Sequence, residues 1–281
     1  MKVLQWNIQW CRGMDGAVDP ARIARVAQEL ADPDIACFQE VAVNFPALEG
    51  SSGEDQVALL SAHFPGYSAH FVSGADMPDD TGGRRLFGNL LLTRYPVQQV
   101  FRHSLPRPAE DAVPCTPRAA IEAVIDTPLG ALRVTTTHLE YYSQMQRSAQ
   151  VARLREVHAE ACGYARARPS SRESGPFQPL PRPASAILTA DFNMRIEDPA
   201  YAALLAPFAD HTPRLFDAWT HAHPGTPHSP SFCLFDDRYA KLPYCCDFVF
   251  VTEDLLPRIK AIRIDQDTRA SDHQPVIVEF D

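Results

Sequence analysis

Asp191 and Asn193 end an otherwise apolar run, residues 187–194, in a chain of 281 residues. In an extended segment the side chains at i and i+2 share a face. The acid and the amide would therefore stand side by side at a strand end while Phe192 turns inward. Such a pair can hold and deprotonate a water or bind a hard cation, and it also suits an ordinary turn. The pattern recurs. Asn7 and Glu40 close apolar runs, His138 follows another, Asp247 opens one, and Asp272 with His273 precedes the last. A fold that brings these ends to one edge creates an acidic pocket holding two imidazoles and two amides. No Gly-rich phosphate loop, nucleophile elbow or HExxH pattern competes with it. The collection suits metal-assisted hydrolysis of a phosphate ester better than nucleophilic catalysis.

Each group has a physical reason to be there. A phosphodiester is anionic and repels hydroxide, so Mg²⁺ or Mn²⁺ is expected to neutralise charge as the transition state forms. Cations of this kind want carboxylate oxygens and keep waters, which Glu40 and Asp272, with Asn7 nearby, can supply. An in-line water needs a proton acceptor, and Asp191 held by Asn193 suits that work. Imidazolium groups can donate to phosphate oxygens, and a carboxylate behind one of them, for which Asp247 is the candidate, would orient it and favour its charge.

The elements that must position these residues alternate between strand and helix. Residues 3–8 and 34–40 read as strands flanking a helix that Asp19 caps and Pro20 begins, with Ile23, Val26 and Leu30 on one face. Residues 54–64 form a second helix. Residues 67–72 and 87–93 are strands separated by a polar loop, 74–85, whose Asp76, Asp79 and Asp80 read as solvated. Residues 97–105, 119–126 and 132–137 continue the strands, the last two joined by a turn at 127–130. Ser143 caps a long helix to about Arg166, with Val151, Leu154, Val157 and Ala161 at core spacing and Arg147, Arg153 and Arg155 on its wet face. A Pro- and Ser-rich surface excursion at about 168–184 interrupts the unit without dividing it. Short strands at 185–190, 246–251, 260–264 and 276–280 follow, with a short helix from Asp198–Pro199 and an irregular stretch at 221–244. Trp219 reads as packing. So do the histidines outside the motifs: His63, His70, His103, His158, His211, His221, His223 and His228.

Bulk composition narrows the partners. The chain is 45% hydrophobic and carries a formal net charge of -9, with 26 Lys and Arg against 35 Asp and Glu. That is enough for a large core, and it counts against a long duplex-DNA footprint, which usually needs a basic face. Seven cysteines without CxxC spacing argue against a disulfide framework or a zinc cluster and favour reduced, mostly buried thiols. With no signal-like start and no apolar run approaching about 18 residues, a cytoplasmic monomer with no membrane span is expected.

Taken together, Trp6-Asn7-Ile8-Gln9, Phe38-Gln39-Glu40-Val41, Thr137-His138-Leu139, Ala190-Asp191-Phe192-Asn193, Asp247-Phe248-Val249-Phe250 and Ser271-Asp272-His273-Gln274-Pro275 resemble, in order and over almost the whole chain, the endonuclease/exonuclease/phosphatase superfamily. The resemblance implies one domain, 1–281, folded as a four-layer α/β sandwich of two packed mixed β-sheets flanked by helices. It implies a Mg²⁺- or Mn²⁺-dependent phosphoric ester hydrolase of nuclease-type phosphodiesterase chemistry. The alternatives are a phosphatase, a phospholipid head-group or 5′-tyrosyl phosphodiesterase, or a catalytically silent binding module of the same fold. Carried over residue by residue, it makes Glu40 the main metal ligand with Asn7 and Asp272 close by. Asp191 orients or deprotonates the water, Asn193 binds phosphate or that water, His273 contacts the scissile phosphate with Asp247 as partner, and His138 is a second phosphate-facing imidazole. Asn89 and Arg118 line the pocket or buttress it. Gln9 stands where many relatives among the repair endonucleases carry an acid, which counts against a second metal position. His138-Leu139-Glu140 is similar to the tyrosyl-DNA phosphodiesterase type 2 branch.

Overall fold

A computed structural model describes residues 1–167 and 175–281. In chain order the elements are β1 (Lys2–Asn7), α1 (Pro20–Leu30), β2 (Ile35–Val43), α2 (Gln56–Ala62), β3 (Ser68–Pro78), β4 (Arg84–Thr93), β5 (Val97–Ser104), β6 (Ala119–Thr127) and β7 (Gly130–His138). There follow α3 (Gln144–Arg166), β8 (Ala186–Asp191), α4 (Pro199–Leu205), β9 (Leu215–Asp217), α5 (Ala218–Ala222), β10 (Asp247–Thr252), β11 (Ile259–Ile264) and β12 (Val276–Phe280). They make two six-stranded sheets, ordered β11-β12-β1-β2-β4-β3 and β5-β6-β7-β8-β10-β9. Each sheet is mixed: β1 runs parallel to β2 and β7 parallel to β8, and the other pairs are antiparallel.

Alternation along β1 explains both the packing and the site. Val3 joins the core shared by the two sheets, whereas Leu4 and Trp6 join a second core beneath α1 and α2, with Ile23, Ala27, Leu60 and Phe64. Gln5 and Asn7 share the Val3 face and so aim at the second sheet. The helices start where their caps predict: the side chains of Asp19, Asp55, Ser143 and Asp198 each accept a backbone N–H of the first turn. Val151 and Leu154 of α3 pack on the central core. Six of the seven cysteines are buried. Among the described residues no helix is long and apolar enough to cross a membrane.

Two expectations need correction and a third is only partly covered. Residues 74–85 are not an open loop. The β3–β4 ladder continues to Pro78 opposite Arg84, leaving a turn closed by Asp79, which accepts from the backbone N–H groups of Thr81 at 2.8 Å and Gly83 at 2.6 Å. These bonds, the one from Thr81 first, hold the Asp79 carboxyl down at about 2. Arg147 and Arg155 are not on a wet face either. Arg147 is buried, donating to the carbonyls of Glu140 and Tyr141 and to Asp198, and Arg155 donates to the carbonyls of Leu204, Ala206 and Pro207. Long cationic side chains can reach such carbonyls from a helix flank, which periodicity alone does not reveal. Of the excursion at 168–184, residues 168–174 lie outside the described residues. Within the rest, Arg182 is buried and bonds Glu122 at 2.9 Å.

Candidate active site

Register brings the polar strand ends into one place. Asp191 at the end of β8 is paired with His138 at the end of β7 on one side and with Asp247 at the start of β10 on the other. Cross-strand partners share a face, so the three side chains form a row looking at the first sheet. Asn7 faces them from the end of β1, donating from Nδ2 to Asp191 Oδ2 at 2.9 Å and to Glu40 Oε1 at 3.0 Å. Its Oδ1 accepts the Gln9 N–H at 3.1 Å.

Glu40 reaches the pocket through a bulge. Phe38 pairs with Leu90 but Val41 with Gly88, so two residues of β2 oppose Asn89 alone, and Glu40 adopts φ +60°. Gly88 is required there, because a Cβ would sit 1.9 Å from the Val72 carbonyl oxygen. Asn89, opposite the bulge, donates to the Ala119 carbonyl at 2.8 Å and so braces the strand that follows Arg118. Arg118 lines the pocket, with Nε 3.4 Å from Glu140 Oε2.

The two imidazoles differ in charge. His273 Nδ1 is 2.8 Å from Asp247 Oδ2, and Nε2 is 3.6 Å from Asp191 Oδ2. Burial opposes its charge, yet Asp247 and Asp191 outweigh burial and hold its pKa well above the ordinary histidine range. The Phe232 ring stacks on it with centroids 4.3 Å apart, and the Ser271 hydroxyl accepts its backbone N–H. His138 is driven the other way by burial, and then by Arg118 and His273. Asn193 Nδ2 donates to the Leu139 carbonyl at 3.0 Å and lies 2.9 Å from His138 Nε2. An amide nitrogen only donates, so His138 Nε2 accepts and the proton of this neutral ring is on Nδ1, 3.9 Å from Glu40 Oε1.

The acids are arranged around a pocket of about 160 Å³ lined by Glu40, Arg118, His138, Asp191, Asn193, Asp272 and His273, with Gln9 and an aromatic rim that includes Trp10, Tyr141 and Tyr239. Burial raises the Asp191 carboxyl to about 6 against the lowering influence of His273, and burial raises Asp272 to about 6 and Glu40 upward as well. Asp272 Oδ2 accepts Gln9 Nε2 at 2.7 Å, while Gln9 Oε1 is buried with no hydrogen-bond partner among the described residues. Carboxylate oxygens from two walls and an unpartnered carbonyl oxygen make a donor set fitted to a hard divalent cation. The expected residues Asn7, Glu40, His138, Asp191, Asn193, Asp247, Asp272 and His273 thus converge, with Arg118 at the wall and Asn89 behind it.

Sequence reasoning missed the residues that hold this set. Gln5 and Gln39 exchange amide hydrogen bonds at 2.7 and 2.8 Å. Gln5 also donates to Asp247 Oδ1 at 3.0 Å, and Gln39 to Thr136 at 2.8 Å across the sheets. Ser231 donates to Asp247 Oδ2 at 2.7 Å. Gln5 and Gln39 sit inside short apolar runs, and nothing local marks that the two amides meet. Ser231, in an irregular stretch, gave no signal.

The model of the endonuclease/exonuclease/phosphatase family matches residues 4–273. The chain belongs to this family. Members of the family are phosphoesterases, generally dependent on a divalent metal. Among solved structures, a family protein of Bacteroides vulgatus superposes with a TM-score of 0.69 at 20% identity, covering 100% of this chain and 98% of that one. The mannosyl-6-phosphatase of Bacteroides thetaiotaomicron gives 0.66 at 20% identity, covering 100% and 99%. The human Nocturnin catalytic domain gives 0.62 at 18%, covering 100% and 93%. At these identities the likeness speaks for the fold, the two packed mixed sheets with flanking helices. No curated protein sequence matches the chain significantly.

Proposed function

We propose that this chain is a Mg²⁺- or Mn²⁺-dependent phosphodiesterase that hydrolyses a compact phosphodiester by in-line attack of water. The observation that carries the proposal is the placing of Asp191 Oδ2, which accepts from Asn7 Nδ2 at 2.9 Å and lies 3.6 Å from His273 Nε2, in one pocket with His138, Glu40 and Asp272. Glu40 and Asp272, with the carbonyl oxygens of Asn7 and Gln9 beside them, are the residues that would hold the cation. Its contribution when bound is to neutralise negative charge on the phosphate.

The chain's own groups divide the remaining work. Asp191, its carboxyl raised to about 6 by burial, is basic enough to take the proton of the attacking water near neutral pH. The Asn193 backbone N–H fixes Asp191 Oδ1 at 2.9 Å, and the Asn193 carboxamide, oriented by His138 and Leu139, positions that water or a phosphate oxygen. His273, held charged by Asp247, donates from Nε2 to the phosphate. His138 donates from Nδ1 as a neutral ring, and Arg118 meets a non-bridging oxygen.

Charge balance favours a diester over a monoester. The cations lining the pocket are Arg118 and the His273 imidazolium, set against Glu40, Asp191 and Asp272. These groups leave an excess of one negative charge, which a bound divalent cation would turn into one positive, so the balance suits one negative charge on the substrate better than two, and the net charge of -9 argues against a long polyanion. With bis-p-nitrophenyl phosphate and Mg²⁺ or Mn²⁺, turnover should exceed that on p-nitrophenyl phosphate and vanish with a chelator. Asp191→Ala and His273→Ala should each stay folded and lose about 10²–10⁴-fold. Unchanged turnover in both variants would remove the mechanism, and preference for the monoester would reassign the substrate.

A further inference from the structure

Cys246 lies against the catalytic histidine and has no task in the hydrolysis set out above. Its Sγ is 3.6 Å from Asp247 Oδ2 and 4.0 Å from His273 Nδ1. One ligand atom each from Asp191, Cys246, Asp247 and His273 can be chosen so that all four lie within 4.8 Å of one another, and all four residues are buried. Asp191 and His273 also line the open pocket, so an ion entering with solvent meets two members of the set at once.

Geometry and donor chemistry say which ion belongs here. A tetrahedral cation with bonds of about 2.3 Å to sulfur and about 2.0–2.2 Å to nitrogen and oxygen needs neighbouring ligand atoms roughly 3.3–3.8 Å apart. The two sulfur contacts are near that range, and the 2.8 Å His273–Asp247 contact must open by roughly half an ångström to reach it. A thiolate with an imidazole and two carboxylates is a poor set for Mg²⁺, which prefers oxygen donors and keeps its waters, and a good one for softer ions.

We propose that Asp191, Cys246, Asp247 and His273 form a second, thiophilic cation site of the Zn²⁺ or Cd²⁺ class, whose occupation switches hydrolysis off. Coordination replaces the Asp247–His273 hydrogen bond. The Cys246 thiol and the His273 ring at Nδ1 each give up one proton to solvent. The occupied site has consumed the water's proton acceptor, Asp191, and has broken the Asp247–His273 pair that held the ring towards the phosphate. Glu40 and Asp272 stand outside the set, so excess Mg²⁺ does not compete for the sulfur. The inhibitory half rests on the hydrolase reading, and the binding half does not.

The full chain titrated with Cd²⁺ in excess Mg²⁺ tests both halves. Wild type should bind one Cd²⁺ with an ultraviolet thiolate-to-cadmium charge-transfer band and lose bis-p-nitrophenyl phosphate turnover in parallel. Cys246→Ser should keep Mg²⁺-supported turnover, lose the band and need about 10-fold or more Cd²⁺ for inhibition. Cys246→Ala repeats that arm if the serine variant fails to fold. Cys245→Ser serves as the control, because the Cys245 thiol donates to the Asp247 carbonyl at 3.4 Å and lies outside the set, so this variant should behave as wild type. A band that survives in both Cys246 variants, its absence from wild type, or inhibition of Cys246→Ser at the wild-type concentration overturns the proposal. Turnover missing from wild type with the band present overturns the hydrolase reading and leaves the cation site standing.

Discussion

Asp247 is buried, and its two oxygens are fully engaged: Oδ1 accepts from Gln5, and Oδ2 faces Ser231 and His273. That anchoring turns a strand-end acid into the group that sets the charge of His273. An Asp247→Asn substitution keeps the shape and removes the charge that favours the imidazolium. The His273 pKa should therefore fall, which imidazole proton shifts followed against pH would register, and kcat should fall by about 10²–10⁴-fold as the charged donor disappears at neutral pH. A His273 titration identical to wild type would show that Asp247 is only a packing group. At this scale the ends of apolar runs were legible, since an acid or imidazole that follows five or six apolar residues has few bland reasons to be there. The second ring of contacts was not. Gln5 and Gln39 sit inside their runs, and their reciprocal bond joins residues 34 positions apart, a separation that local pattern does not encode. The neutral state of His138 was equally hidden, because it follows from which atom of Asn193 faces the ring.

Element by element, sequence periodicity located most strands and helices to within a few residues, missed the short β9 and α5, and erred where a ladder outlasted its apolar pattern. The β3–β4 hairpin keeps pairing through Asp76 and Arg84 although both side chains are exposed and salt-bridged at 2.6 Å. Backbone bonding sustains a hairpin arm after side-chain burial ends. The bulge that delivers Glu40 was invisible because Glu40 reads as the end of a strand that in fact continues through the bulge to Val43. Its sign lay in the partner, at Gly88, where β3 and β4 approach too closely for any side chain. Gly88→Ala should cost about 1–3 kcal/mol or more by overpacking and should withdraw Glu40 from the pocket. Urea unfolding together with a Mg²⁺ titration of turnover would show both losses. Gly163→Ala is the counterpart on α3, where an added Cβ meets nothing within 4 Å among the described residues. There the helix gains about 0.5–1 kcal/mol, and metal dependence should not change. Equal effects from the two substitutions would mean that the bulge has no special tie to the site.

Across the whole molecule, the second sheet carries a buried ionic cluster that binds α3 and the segment containing Arg182 to β6 and β7. Glu122 has Arg182 Nε at 2.9 Å, His103 Nε2 at 3.5 Å and Arg133 Nη1 at 3.7 Å. Burial alone would raise its carboxyl, but the close contact of His103, the hydrogen bond from Arg182 and the charge of Arg133 hold it at about 2. Arg133 Nη2 also reaches His158 Nδ1 at 2.8 Å, and His158 Nε2 faces the Pro213 carbonyl at 2.7 Å. A guanidinium only donates, so Nδ1 accepts and the neutral ring carries its proton on Nε2. Burial, then Arg133, lower the His158 pKa to about 4 from an ordinary value of 6.5. The unfolded chain therefore binds this proton first. The associated stability is fully present above pH 6.5 and is lost as pH falls toward 4, about 3 kcal/mol in all. The Glu122 contribution has the same sign but a lower window, present above about 4.5 and lost as pH falls through about 2. Guanidinium unfolding at pH 7.5, 5.5 and 4 should give a steep acid loss in wild type, and His158→Gln should be less stable at pH 7.5 yet flatter between 7.5 and 4. If the variant follows the wild-type slope, the acid sensitivity belongs to other groups and the cluster is not what ties α3 to the sheet.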